Sequence, residues 1–188
     1  MKKLLPIIAL AGLALAAVTA ACNSDEQTTW DKYADWRELN NAWLADMQTK
    51  TNADGTPYYK VIIPDWNPAT FVLIHYFNDR AETEGKLSPL YTSYADTRYI
   101  VRDCQGTGID SSTLINQTGV QGIYRSQVSG NVQGFAIALM DMRCGDTAEV
   151  VVPYGLAYGS QDRGTIKPYS NLQFNIRLVD IPNYETIP

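Results

Sequence analysis

From Val152 to Leu178 the chain reads VPYGLAYGSQDRGTIKPYSNLQFNIRL. The run ends on LQFNIRL, where Leu172, Phe174, Ile176 and Leu178 alternate with polar residues, the period-two signature of a strand with one buried face. It begins against AEVVV, residues 148–152, a short β-branched stretch that reads as another strand. Between the two lies a long loop, fixed at one end by Leu156-Ala157-Tyr158-Gly159 and at the other by Ile166-Lys167-Pro168. Loops of this length inside a compact domain are uncommon unless they carry a binding or catalytic role.

Working outward, Gly134 to Met142 (GFAIALMDM) has apolar spacing that fits a short helix, closed by Cys144-Gly145. Thr97 to Arg102 reads as a strand, as do YYKVII (58–63) and TFVLIHYF (70–77), whereas Asp79 to Pro89 is polar and loop-like. Ahead of the turn signal Asn52-Ala53-Asp54-Gly55, apolar residues fall at Tyr33, Trp36, Leu39, Trp43 and Met47, which predicts a helix over 30–50 capped by Thr29. Its tryptophans are read as a stripe docking on a core rather than as an exposed sugar platform. The order of elements predicts an α+β body whose antiparallel sheet packs a helix on one face.

The bulk numbers fit one domain with a small appendage: 188 residues, 45% hydrophobic and 19% charged. A net charge of -5 gives no electrostatic basis for binding nucleic acid. The single histidine, His75, sits inside a strand-like run and reads as structural, and no Cys/His spacing suggests a metal site. Without a second histidine or a paired thiol, a nucleophile triad has no support.

Lys2 and Lys3, the apolar run Leu4–Val18 and the small residues before Cys22 have the layout of a secretory signal over residues 1–21. Cys22 after Ala20-Ala21 resembles the lipobox of bacterial lipoproteins, which implies a lipidated tether over 22–28 and attachment to a membrane through the lipid. Ser24-Asp25-Glu26 also resembles the acidic signal of surface lipoproteins in Bacteroidetes. An envelope compartment permits Cys104 and Cys144 to pair, but sequence cannot bring their Cα atoms within bridging distance, so the disulfide is left open.

The words in the opening stretch resemble the FKBP-type peptidyl-prolyl isomerases, whose C-terminal half reads Val-Ile-x-Gly-Trp, a short helix, a strand, Pro-x-x-Leu-Ala-Tyr-Gly, a variable loop with Ile-Pro-Pro, and Leu-x-Phe-x-Val-x-Leu. Here these are Val132-Gln133-Gly134-Phe135, Pro153 to Gly159, Ile166-Lys167-Pro168 and Leu172 to Leu178. Upstream, TRYIVRDCQGTGIDSS keeps Tyr99, Gly106 and Asp110-Ser111-Ser112 in the family's register, with Ile109 where the family has Phe. The resemblance covers about residues 91–181. It implies an FKBP-like antiparallel sheet wrapped around a short helix with an added N-terminal helix. The corresponding divisions are a helical extension over 29–56 and an FKBP-like domain over 57–188, with an insertion at about 68–90.

By position, the resemblance makes Tyr99, Ile109, Ile166 and Phe174 walls of a proline pocket and Phe135 its floor, with Tyr124 a looser wall candidate. Asp110 stands at the rim, Tyr158 offers its hydroxyl to a substrate carbonyl, and the Val132 N–H bonds the peptide; Asp110 and Tyr158 form the catalytic pair. Each also has a plainer reading: Phe135 and Phe174 as core, Tyr158 as a loop plug, Asp110 as a turn former. The implied activity is cofactor-free, non-covalent cis-trans isomerisation of X-Pro bonds in exported proteins, by a monomeric lipoprotein of the bacterial envelope. Two other functions compete: a non-catalytic peptide-holding module with the same groove, and a carbohydrate-binding lipoprotein that uses the tryptophan helix.

Overall fold

The computed structural model of the protein describes residues 27–182, so the signal segment, Cys22 and the acidic triplet lie outside the described residues. Within that span the chain builds one sheet from β1 (Lys60–Ile62), β2 (Val72–Tyr76), β3 (Tyr94–Arg102), β4 (Gly108–Ser111), β5 (Tyr124–Gln127), β6 (Thr147–Val152) and β7 (Leu172–Asp180). Its order is β1-β2-β6-β7-β3-β4, with β5 also pairing with β3, and every strand pair is antiparallel. The segment TFVLIHYF is integral to this sheet, because β2 pairs with β1 on one side and β6 on the other.

Period-two alternation sorts the sheet into two faces. On one, Val72 and Ile74 of β2, Val150 and Val152 of β6, and Leu172, Phe174, Ile176 and Leu178 of β7 are buried in the main core. A helix, Gln133–Asp141, supplies the other side of that core; its residues Gly134 to Leu139 are all buried, so it is apolar all round rather than striped. Gly134 is required by the contact itself: a Cβ there would lie 2.2 Å from Val152 Cγ1. The missing side chain lets the helix approach β6 closely and fixes where the next residue, Phe135, projects.

The opposite face carries Leu73 and Val151, which with Tyr59 form a second apolar cluster. The N-terminal extension covers it with α1 (Thr29–Lys32) and α2 (Ala34–Thr49), which makes the core helix α3 in chain order. Trp43, Leu44 and Met47 of α2 pack on this cluster. The helical region departs from the sequence prediction in three details. Thr28, not Thr29, is the cap, its side chain accepting from Asp31 N–H at 3.2 Å; the helix is interrupted at Tyr33; and Leu39 is 40% exposed, while the one fully buried residue is Asn40. The covered face thus keeps Tyr33, Trp36, Trp43 and Met47 of the apolar stripe, half-buried, and takes Asn40 in place of Leu39.

Strands β4 and β5 were not legible in the sequence, and the stretch read as loop at 79–89 holds a short 3-10 turn, Arg80–Thr83, capped by Asp79. Cys104 and Cys144 are both free thiols, which answers the disulfide question in the negative. His75 is structural: its ring stacks on Tyr58 at 3.8 Å and its Nδ1 lies 2.8 Å from the Tyr58 carbonyl, which makes Nδ1–H the donor.

Candidate active site

A cavity of about 660 Å3 opens beside the N-terminal end of α3, between β3, β4, β7 and the long loop that follows β6. Its floor is Phe135, in the first turn of α3 and only 3% exposed. One wall is Phe174 of β7, its ring 5.3 Å from that of Phe135 at an interplanar angle of 64°. Another is Tyr99 of β3, whose ring meets Phe135 edge-on at 6.1 Å and Tyr124 of β5 at 5.5 Å. These edge-to-face contacts are the preferred geometry of neighbouring aromatic rings and lock each ring by its neighbours.

Strand β4 brings Ile109 and Asp110 to the mouth. Asp110 Oδ2 accepts the Tyr99 hydroxyl at 2.7 Å and its Oδ1 accepts the Ser111 N–H at 2.7 Å. Burial, the hydrogen bond to Asp110 and that carboxylate's charge all push the Tyr99 hydroxyl well above the usual phenol range, so it remains a donor at neutral pH. Ser112 completes the reason for an Asp-Ser-Ser sequence here. Its Oγ accepts the Tyr99 N–H at 3.0 Å and donates to the Gly122 carbonyl at 2.9 Å, tying β3 to the segment that leads into β5.

The loop supplies the remaining side. A 3-10 turn, Tyr154–Leu156, directs Tyr158 over the cavity, and a second reversal, in which Arg163 N–H donates to the Ile166 carbonyl at 3.0 Å, brings Ile166 back as a buried wall. Val132 sits at the N-cap position of α3, where backbone N–H groups lack intrahelical partners; its own N–H donates to no group among the described residues and the residue lines the cavity. The Tyr158 hydroxyl likewise makes no hydrogen bond among the described residues.

All nine residues that the resemblance assigns to a proline pocket, Tyr99, Ile109, Asp110, Tyr124, Val132, Phe135, Tyr158, Ile166 and Phe174, line this one cavity. Sequence reasoning missed Val101, Asn131, Arg163, Thr165 and Leu172, which line it too. Leu172 and Val101 were legible as strand residues but not as pocket residues. Asn131 carries no motif; its amide staples the turn before α3 by donating to the Gln127 and Val128 carbonyls at 2.9 and 3.2 Å. Arg163 places a guanidinium 5.7 Å from the centre of the Tyr158 ring, a charge in an otherwise largely aromatic and aliphatic lining. Among the described residues no cluster of three or more His, Cys, Asp or Glu side chains is arranged to hold a metal ion.

Residues 92–179, the span that contains every one of these groups, match the family model of the FKBP-type peptidyl-prolyl cis-trans isomerases. This segment is thus similar to the FKBP-type isomerases. Over 106 residues the chain is 34% identical to the macrophage infectivity potentiator of Trypanosoma cruzi, a match that covers 56% of this chain and 52% of that protein. The chain thus spans about half the length of that relative. In fold, the chain is similar to a peptidyl-prolyl cis-trans isomerase of Pseudomonas syringae pv. tomato (TM-score 0.58, 20% identity, covering 77% of this chain and 93% of that one). It is also similar to FkpA of Escherichia coli (TM-score 0.62, 19% identity, covering 80% and 62%). The matched span begins at residue 92, so α1, α2, β1 and β2 lie outside the FKBP segment.

Proposed function

We propose that this protein is an FKBP-type peptidyl-prolyl cis-trans isomerase that acts without cofactor or covalent intermediate on X-Pro bonds of exported polypeptides. The observation that carries the reading is the convergence of Tyr99, Asp110, Phe135, Tyr158, Ile166 and Phe174, scattered over some 75 positions of sequence, on one cavity.

Rotation about an X-Pro bond must break amide resonance, at a cost of about 18–20 kcal/mol. The planar amide is more polar than the twisted one, so a site that strips water from the bond and grips the proline ring favours the twisted form. Phe135, Phe174 and Ile166 supply the dry grip. The Val132 N–H, fixed at the helix start, takes a peptide carbonyl and holds the chain in register. The Tyr158 hydroxyl, with no internal partner, is the donor available to the carbonyl that turns. Asp110 works through Tyr99, holding that ring upright against the substrate.

The same reading assigns Cys22 to a lipid anchor and the protein to the outer membrane of a bacterial envelope, on its periplasmic or external side, as a monomer. The layout of residues 1–26 supports it, and among the described residues no helix is long and apolar enough to cross a membrane. The carbohydrate-binding alternative loses its platform, because Trp36 and Trp43 are half-buried against the body, with Trp36 Nε1 donating to Ser170 Oγ at 3.0 Å.

The test is cis/trans exchange of a proline tetrapeptide followed by NMR with the full chain. Acceleration above background that Phe135→Ala abolishes is the expected result. Peptide binding with no acceleration would instead identify a module that holds extended chains, and release from membranes on Cys22→Ala would establish the anchor.

A further inference from the structure

The N-terminal extension lies outside the FKBP segment, yet its first half is directed at one part of that segment, the loop from Pro153 to Asn171. Trp36 Nε1 donates to Ser170 Oγ at 3.0 Å, and the Tyr33 hydroxyl donates to Asp162 Oδ2 at 3.3 Å. Lys167 stands 4.3 Å above the Trp36 ring, and Trp30 meets the ring of Tyr169 edge-on at 5.3 Å. These contacts converge on a strained stretch of backbone: Tyr169 has φ 61°, the left-handed region that a bulky L-residue rarely occupies without support.

The centre of the contact is a pair of fully buried asparagines. Asn40 Oδ1 accepts the Asn171 N–H at 2.8 Å, and the Asn40 carbonyl accepts Asn171 Nδ2 at 2.7 Å. Asn171 Oδ1 in turn accepts the Tyr154 N–H at 2.8 Å, which joins the loop's two ends. Asn40 is held for this task, its Nδ2 donating to the Trp36 carbonyl at 2.8 Å within α2. One residue of the helix, through its side-chain oxygen and its backbone carbonyl, thus braces the closure of the loop that carries Tyr158 and Ile166 into the cavity.

We infer that Asn40 is a positioning residue for the proline site: through Asn171, the N-terminal helix holds the Pro153–Asn171 loop in the form that makes the cavity complete. The inference rests on the isomerase reading for its kinetic consequence but not for the clamp itself. A loop that leaves this form part of the time lowers the fraction of competent molecules, and apparent affinity falls by that fraction while turnover of the bound complex is kept. Simple loss of folded protein does the reverse, lowering apparent kcat at constant KM.

The experiment compares three full-chain variants: Asn40→Ala, Trp36→Phe, and Trp43→Leu as a control on the same helix, where it packs on Tyr59, Leu73 and Val151. Amide hydrogen exchange over 159–169 and kcat and KM for a proline tetrapeptide are measured for each. Asn40→Ala is expected to speed exchange in the loop at least tenfold and raise KM at least fivefold with kcat within twofold. Trp36→Phe shifts both in the same direction by less, and Trp43→Leu moves neither. Wild-type loop exchange and KM in Asn40→Ala, or the same shifts in Trp43→Leu, overturn the proposal. Should Asn40→Ala fail to fold, Trp36→Phe decides by the same two readouts. If the wild-type chain does not isomerise proline peptides, it is the isomerase reading that fails, and loop exchange with the peptide Kd in place of KM still decides the clamp.

Discussion

Tyr99 of β3 and Asp110 of β4 meet diagonally across the two strands, Asp110 being paired with Val101, and their side chains close on each other at the mouth of the cavity, the phenol donating to the carboxylate at 2.7 Å. The carboxylate's other oxygen is taken by the Ser111 N–H, so both are committed inside the protein. Asp110 is thereby a holder of Tyr99 more than a group free to meet substrate. Hydrogen bonds to a charged acceptor contribute about 1.5–3 kcal/mol, and each 1.4 kcal/mol is roughly a factor of ten. Asp110→Ala and Tyr99→Phe are each expected to lower kcat/KM about tenfold, and the double variant to lose little more than either alone. Steady-state kinetics of the four proteins in a double-mutant cycle checks this, and full additivity would separate the two residues' roles.

Tyr158 differs from Tyr99 in having a hydroxyl with no internal partner, so removing that oxygen leaves nothing buried and unsatisfied. Tyr158→Phe is expected to leave thermal stability unchanged and to reduce kcat/KM about three- to tenfold, the value of one neutral hydrogen bond made to substrate. Denaturation midpoints and kinetics on the same preparation separate the two effects. A variant as active as wild type would leave the hydroxyl without a part in the reaction.

The site was legible in sequence to the extent that it is carried by rigid spacing. Local periodicity marks the helix that opens at Gly134-Phe135 and the alternating strand of Phe174, while the gathering of these residues with Tyr158 into one pocket was legible only through the spacing shared with the FKBP-type motifs. In the extension the stripe of Tyr33, Trp36, Trp43 and Met47 does lie on the covered face, and the reading fails at one position because the stripe counted apolar residues only. Leu39 fits that count, but the buried position is Asn40, whose hydrogen bonds with Trp36 and Asn171 satisfy the amide and remove the cost of burying it. No local pattern announces a partner 131 residues away. Strands β4 and β5 escaped notice for a related reason: four residues each, with the sequences GIDS and YRSQ, they exist through pairing with β3 and not through propensity.

Gly134 tests how tightly the floor of the site is set. With Val152 Cγ1 2.2 Å from where a Cβ would stand, and Val152 a β-branched residue in a filled core, the helix must move if the position gains a methyl group. Gly134→Ala is expected to destabilise the protein by about 1–3 kcal/mol despite alanine's better helix propensity, the usual cost of overpacking. Chemical denaturation measures it. A stabilised variant would mean that α3 and β6 are free to separate.

Asp141, the last residue of α3, gives the fold a defined response to acid. Burial pushes its carboxyl up, but hydrogen bonds from Lys60 Nζ and the Tyr76 hydroxyl, with the charges of Lys60 and Arg80, outweigh that and hold it below the ordinary value of 3.8. A carboxyl depressed in the folded state stabilises the protein above its unfolded pKa, and that contribution disappears as pH falls through the folded value. Asp141→Asn is therefore expected to be less stable than wild type at pH 6, with the gap narrowing below about pH 4, where the wild-type carboxyl also takes up its proton. Urea denaturation of both proteins from pH 6 down to pH 3 reads the difference directly. A gap that stays constant across that range would show that the carboxyl's charge contributes nothing and that only the shape of the Asp141 side chain matters to the contact between α3 and the sheet edge.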